Sequence, residues 1–224
     1  MKMHKQFKAK PCKRFGAALW KHRKLTLKQE KAILLNKKKM NMRKISNFSL
    51  QLRAKQLVST LYGQLRLQQF KQLIRKSEKY KGKMAHILFS LLEKRVDSCL
   101  VQLKFAPTFL AARQLINHQK VFVNNQIVKS PSFILNPGDL ISFKDDTKEM
   151  IAANVQTLSQ QQQNQQVQIY KSLHFEVNYK TLEAIFLFSP QQIHYPTQIE
   201  PELIVKSLQI VFLFYFQILH HNLL

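Results

Sequence analysis

The sequence predicts an α+β protein preceded by a basic N-terminal arm. Three observations carry that expectation: apolar residues recur at helical spacing from about 47 to 118, the period drops to two over 121–143, and cationic charge is concentrated in the first 55 residues. The chain has 224 residues, 36 Lys+Arg against 12 Asp+Glu, and a formal net charge of +24. A chain this size buries roughly 70% of its unfolded surface, and a 45% hydrophobic content supplies one or two cores. With only 4 glycines, the glycine-rich phosphate loops of nucleotide-dependent folds have little to be built from.

The first helix is expected from Asn47, where Leu50, Ala54, Leu57, Val58 and Leu61 fall at i, i+4, i+7, i+8 and i+11, with Ser46 or Asn47 as cap and Gly63 as stop. A second places Leu67, Phe70, Leu73 and Ile74 on one side and ends at Lys81-Gly82-Lys83. Met84, Ile87, Leu88, Leu91, Leu92, Val96, Leu100 and Leu103 give a third run, interrupted near Glu93. Pro107-Thr108 caps a fourth, from Phe109 to about His118. Val121 and Val123 then alternate with Phe122, and Asn124-Asn125 supplies a turn because Asn tolerates positive φ. Phe133-Ile134-Leu135, the Asn136-Pro137-Gly138-Asp139 turn and Leu140 to Phe143 complete a small, mostly antiparallel sheet. The third and fourth helices pack on it.

Charge divides the chain sharply. Residues 1–55 hold 18 basic and 1 acidic residue, 56–104 hold 10 and 3, 105–150 hold 5 and 4, and 151–224 hold 3 and 4. Such an N-terminal density repels itself, so a neutralising polyanion is the natural partner, with nucleic acid first. An anionic membrane surface is the rival. The apolar residues of 1–44 (Phe7, Phe15, Leu19, Trp20, Leu25, Leu27) are scattered, which suits an arm threading between polyanions better than a bilayer helix. The plain alternative is a solvated tail.

Cys12 and Cys99 stand alone, without the partners of a disulfide framework or a four-ligand zinc site, and read as thiols in a reducing compartment. The Lys-rich start, Met1 to Lys8, lacks the apolar stretch of a secretory signal and reads as mature sequence.

The residues of the predicted module carry a resemblance. Leu92-Glu93-Lys94-Arg95-Val96-Asp97, Ala111-Ala112-Arg113-Gln114-Leu115-Ile116-Asn117-His118, Val123-Asn124, Pro131-Ser132 and Pro137-Gly138-Asp139-Leu140-Ile141 resemble, in order and spacing, the S-four RNA-binding domain. Upstream, Ser46 to Gln56, Tyr62-Gly63 and Gln69-Phe70 resemble the helical segment of small-subunit ribosomal protein S-four, and Leu173 to Val177 with Ile199 to Val205 resemble its C-terminal return. The resemblance covers about 43–144 and 173–206. It implies a non-enzymatic structural constituent of the small subunit that binds ribosomal RNA at a multi-helix junction, nucleates assembly, and lies near the mRNA entry channel beside the proteins numbered three and five. No cofactor and no membrane partner are expected, and no metal: family members with an N-terminal zinc site need several cysteines, and Cys12 stands alone. Asn125 departs from the family's usual Gly, and Phe109 stands where an Arg is frequent.

The expected organisation is a basic rRNA-binding arm over 1–44, a helical domain over 45–83, the S-four-type module over 84–144, a flexible Gln-rich insertion over 145–172, a return segment to the helical domain over 173–206, and an apolar tail over 207–224. The tail's largely apolar stretch of 13 residues, Ser207 to Leu219, falls short of the ~20 of a membrane helix; burial against the helical domain or a neighbouring protein is expected.

On the fourth helix, Arg113 with Asn117 and Gln114 with His118 are i,i+4 pairs opposite the Ala112, Leu115 and Ile116 stripe, which offers one polar face to RNA. Arg supplies a fork for phosphate, and Asn or Gln reaches sugar hydroxyls or base edges in the shallow minor groove. Lys94, Arg95, Lys120, Lys129 and the turn residue Asn124 extend this set. Asp97 reads as an internal partner for an arginine, because an acid facing phosphate repels it. Arg53, Lys55, Arg66, Lys71, Arg75 and Lys76 form a second set upstream, where Tyr62 or Phe70 could stack on a base, Phe70 fitting the core better. The alternative is a non-ribosomal RNA-binding factor or an RNA-modifying enzyme such as a pseudouridine synthase, for which no acid/base arrangement emerges from the spacing. Few Gly with many Phe, Lys and Asn point to an AT-biased coding sequence, hence a mitochondrial location, with plastid or bacterial cytoplasm as alternatives.

Overall fold

The structure, a computed structural model, describes residues 10–19, 25–41, 46–163, 173–190 and 202–206. They divide into two units, one formed from Met1–Ala85 with Tyr195–Leu224 and the other from His86–His194.

In the first unit, α1 (Lys10–Phe15), α2 (Leu27–Asn41), α3 (Asn47–Leu61) and α4 (Leu67–Ser77) are joined by a helical turn at 202–206. Ser46 caps α3 by accepting from the Ser49 amide, and Gly63 ends it with φ +72°, a conformation that costs glycine little. Gln69 reaches back to the Arg66 amide at the start of α4. The helix stops at Ser77 rather than running to the Lys81-Gly82-Lys83 expectation: its apolar stripe finishes at Ile74, and Ser77 turns its hydroxyl onto the Ile74 carbonyl. Val58, Leu61, Phe70, Leu73 and Ile74 are buried, as are Ile204 and Val205 of the return segment.

The first 44 residues are not simply an extended arm. Cys12, Phe15, Leu19 and Ile33 are buried, Asn36 donates to the Lys13 carbonyl, and Arg53 donates to the Phe15 carbonyl at 3.1 Å. The scattered apolar residues are few but sufficient to seat two short helices. Residues 1–9, 20–24 and 42–45 lie outside the described set.

In the second unit the long third run is two helices, α5 (Met84–Glu93, whose first two residues belong to the first unit) and α6 (Val96–Gln102), broken near Glu93 as expected. At the break, Leu135 donates to the Lys94 carbonyl and Val96 to the Phe133 carbonyl. Where a strand was expected, 133–135 forms only an isolated bridge, Ile134 to Arg95 at the helix break, and joins no neighbour in the sheet. Helix α7 (Phe109–Asn117) begins where Thr108 accepts from the Ala111 amide. Strands β1 (Val121–Val123) and β2 (Gln126–Ile127) form a hairpin, with Asn124 and Asn125 at φ +51° and +60° in place of an Asn-Gly turn. Next come β3 (Leu140–Phe143), α8 (Asp145–Gln163), β4 (Phe175–Asn178) and β5 (Glu183–Phe186).

The sheet is antiparallel throughout, in the order β2-β1-β3-β5-β4. Here two domain expectations are corrected. Residues 175–186 do not return to the helical domain: Leu140 and Ile141 pair with Ile185 and Ala184, and Phe175, Ala184 and Phe186 enter the module's core. Their alternation of apolar and polar residues fits the open edge of β3. The supposed flexible insertion starts as the 19-residue α8, because Ile151, Ala152 and Val155 at helical spacing pack on the same core and Gln is itself a good helix former. Residues 164–172 lie outside the described set. The core is closed by Leu100, Phe105, Ile116, Val121, Leu135 and Ile141, with Phe105 edge-on to Phe143 at 5.0 Å between ring centres.

Candidate nucleic-acid interface

Helix α7 divides as its sequence predicts. Ala112, Leu115 and Ile116 are buried against the sheet, while Gln114, Asn117 and His118 are exposed. Three hydrogen-bonding side chains therefore share one surface within a single turn.

The two arginines of the module have another role. Asp97, wholly buried, accepts from Arg95 Nε at 3.0 Å and Nη2 at 2.9 Å, from Arg113 Nε at 2.9 Å, and from the Ser98 amide at 3.0 Å. Arg95 is only 2% exposed, so its expected place in the RNA-facing patch is corrected: it is an internal strut linking the α5–α6 break to its neighbours. Arg113 is also tied to Asp97, with one fifth of its side chain exposed. Helical spacing put Arg113 beside Asn117 but could not reveal an acid 16 positions earlier. A buried carboxylate needs such partners to stay ionised, and the expected pairing of Asp97 with an arginine matches this geometry.

Lys94 is half-buried, and desolvation lowers its pKa. Lys129 is exposed. Lys120 lies 3.9 Å from Asp146, which is held more tightly by Lys144 at 3.0 Å; that neighbour's hydrogen bond and charge lower the Asp146 pKa. Asn124 donates to Asp139 at 2.9 Å and accepts from the Leu140 amide at 2.9 Å, so its amide holds the turn together.

In the helical unit Arg66, Arg75 and Lys76 are exposed, whereas Arg53, Lys55 and Lys71 are half-buried. Phe70 is core, and so is Tyr62, which removes Tyr62 as a base-stacking platform. Sequence reading named no individual lysine of α2, yet Lys28, Lys31, Lys37 and Lys38 are all exposed along it; the signal was the Lys run itself, obscured by treating the segment as an arm.

Comparison with known proteins decides the family. Residues 3–93 match the ribosomal protein S4/S9 N-terminal domain and residues 94–141 the S4 domain. The small ribosomal subunit protein uS4m of Marchantia polymorpha is 36% identical over 195 residues, covering 87% of this chain and 96% of the relative. The uS4 protein of Roseobacter denitrificans is 37% identical over 164 residues (72% and 76%), and that of Paramagnetospirillum magneticum 35% over 195 (86% and 92%). The chain belongs to the ribosomal protein uS4 family.

It is accordingly a small-subunit ribosomal protein of a non-enzymatic family. In this uS4-family chain the S4 domain match ends at Ile141, while the folded module continues through α8, β4 and β5. Among the described residues no group of three or more His, Cys, Asp or Glu could hold a metal ion, and no helix is long and apolar enough to cross a membrane. The apolar tail, 207–224, lies outside the described residues. Burial raises the pKa of both the Cys12 and Cys99 thiols, the latter strongly, which leaves them poorly reactive.

Proposed function

We propose that this chain binds small-subunit ribosomal RNA in the mitochondrial ribosome, at a multi-helix junction near the mRNA entry channel and beside the small-subunit proteins numbered three and five. It nucleates assembly and supports translation without chemistry of its own. The observations that carry the reading are an exposed Gln114-Asn117-His118 surface on the module and an N-terminal unit in which Lys10, Lys13, Lys28, Lys31, Lys37 and Lys38 are exposed and acids are few. Donors and acceptors of that kind set position on sugar and base edges, and lysines supply phosphate neutralisation. The mitochondrial assignment is supported by the likeness to the Marchantia uS4m protein and by the AT-biased composition.

Sedimentation tests the assignment. Stoichiometric retention of the protein in mitochondrial small subunits after a high-salt wash is expected. A substoichiometric, salt-labile protein would instead mark a transient RNA-binding factor.

A further inference from the structure

The sheet has two faces, and one is uncovered among the described residues. Val121, Val123, Ile141, Phe143, Ala184 and Phe186 point inward to the core shared with α6, α7 and α8. The alternate positions point outward. Leu140 and Ile185 are register partners on β3 and β5, and Glu176 sits across from Ile185 on β4. Ile185 is 40% exposed and Leu187, the next outward position, 42%. Glu183 stands two residues before Ile185 on the same side.

The charge of this region opposes that of the rest of the chain. Residues 145–190 hold five of the twelve acidic residues and only three of the thirty-six basic ones; of these acids Glu176 and Glu183 stand on β4 and β5 at this face, while Asp145, Asp146 and Glu149 belong to α8. Of the three basic residues, Lys148 is already engaged, 2.7 Å from Asp145 and drawn on further by Glu183, whose charge helps raise its pKa. Phosphate is repelled by such a surface, and Leu and Ile offer RNA neither hydrogen bonds nor a ring on which to stack. A protein that brings its own apolar side chains and positive charge matches both properties.

We propose that the outer face of the β3–β5–β4 end of the sheet, an apolar strip of Leu140, Ile185 and Leu187 bordered by Glu176 and Glu183, docks a Lys/Arg-bearing, apolar-anchored segment of a neighbouring protein of the small subunit. The inference rests on the ribosomal reading above and gives that partner its chemistry.

The test places the photoreactive residue p-benzoylphenylalanine at position 185, and separately at 187, in the full chain within purified small subunits, followed by irradiation and peptide sequencing of the adducts. Expected is an adduct with a different protein, at a segment of net positive charge. Glu176→Lys with Glu183→Lys should reduce its yield at least tenfold while the chain still co-sediments with the subunit. An adduct with ribosomal RNA, an adduct with residues 207–219 of the same chain, no adduct at either position, or a yield indifferent to the charge reversal would each overturn the proposal. Failure of the unsubstituted chain to co-sediment would instead overturn the ribosomal reading, so the two failures are distinguishable.

Discussion

Two arginines of the helical unit face outward, whereas both arginines of the module turn inward. In the helical unit Arg66 and Arg75 are exposed on and beside α4, and the only acids among its described residues, Glu30, Glu78 and Glu202, are exposed as well. The module instead turns Arg95 and Arg113 onto one buried carboxylate. On the function proposed above, a count of positive charge bears on binding strength in the first unit and on internal architecture in the second. Where cations are spent on the fold, the proposed recognition falls to other polar side chains, here Gln114, Asn117 and His118. The module's near-neutral charge is then no argument against RNA contact, because position on a folded RNA is set by hydrogen-bond geometry, whereas electrostatic attraction acts at any phosphate.

The largest expected effect breaks the internal arrangement. Asp97→Ala leaves Arg95 buried without its counter-charge and should cost about 3–5 kcal/mol of module stability, measured by urea unfolding. A loss below about 1 kcal/mol would mean that the arginines do not depend on Asp97. Phe70→Ala should cost a similar ~3–5 kcal/mol, now in the helical unit, through the cavity it leaves. Phe70→Leu should retain RNA affinity, which separates a core ring from a stacking one; a large affinity loss with an intact fold would reverse that assignment.

Smaller effects sharpen the comparison. Thr108→Ala removes the cap of α7 and should cost about 1 kcal/mol. His174 lies within hydrogen-bonding distance of Gln102, at 3.2 Å, and against the Phe175 and Phe186 rings. Burial lowers its pKa from 6.5. The unfolded chain then binds the proton more readily than the folded one, so module stability falls as pH drops below about 6.5 toward the lowered folded value. His174→Phe should remove that part of the pH dependence. An unchanged slope between pH 7 and pH 5 would show that His174 does not carry it.

Much of the fold was legible because helical periodicity and caps are local. Ser46, Thr108 and the break near Glu93 are written in a few neighbouring residues, and the Asn124-Asn125 turn likewise. The errors came from relations between distant segments. Nothing local tells Phe175 and Phe186 that their pairing partner is β3, and a Gln-rich stretch conceals the Ile151, Ala152 and Val155 stripe that makes α8 a packed helix. The site shows the same division. The exposed face of α7 follows from spacing alone. The inward turn of Arg95 and Arg113 depends on a third residue whose burial no spacing rule supplies, although Asp97 was itself recognisable as an acid misplaced for RNA. Tyr62 was misread because a tyrosine beside a glycine stop looks exposed, while the turn folds it into the core.

The division of labour between the units is tested most directly by salt titration of two variants against junction RNA and an unrelated duplex. In the first, the exposed α2 residues Lys28, Lys31, Lys37 and Lys38 become Gln while the buried Ile33 is unchanged; in the second, Gln114 and Asn117 become Ala. The lysine variant should weaken binding to both RNAs and flatten the log–log salt slope by about three units, at roughly 0.7–0.9 per lost phosphate contact. The α7 variant should leave the slope unchanged and weaken binding to the junction alone. An unchanged slope for the lysine variant, or equal weakening on both RNAs for the α7 variant, would contradict the assignment of strength to the helical unit and position to the module.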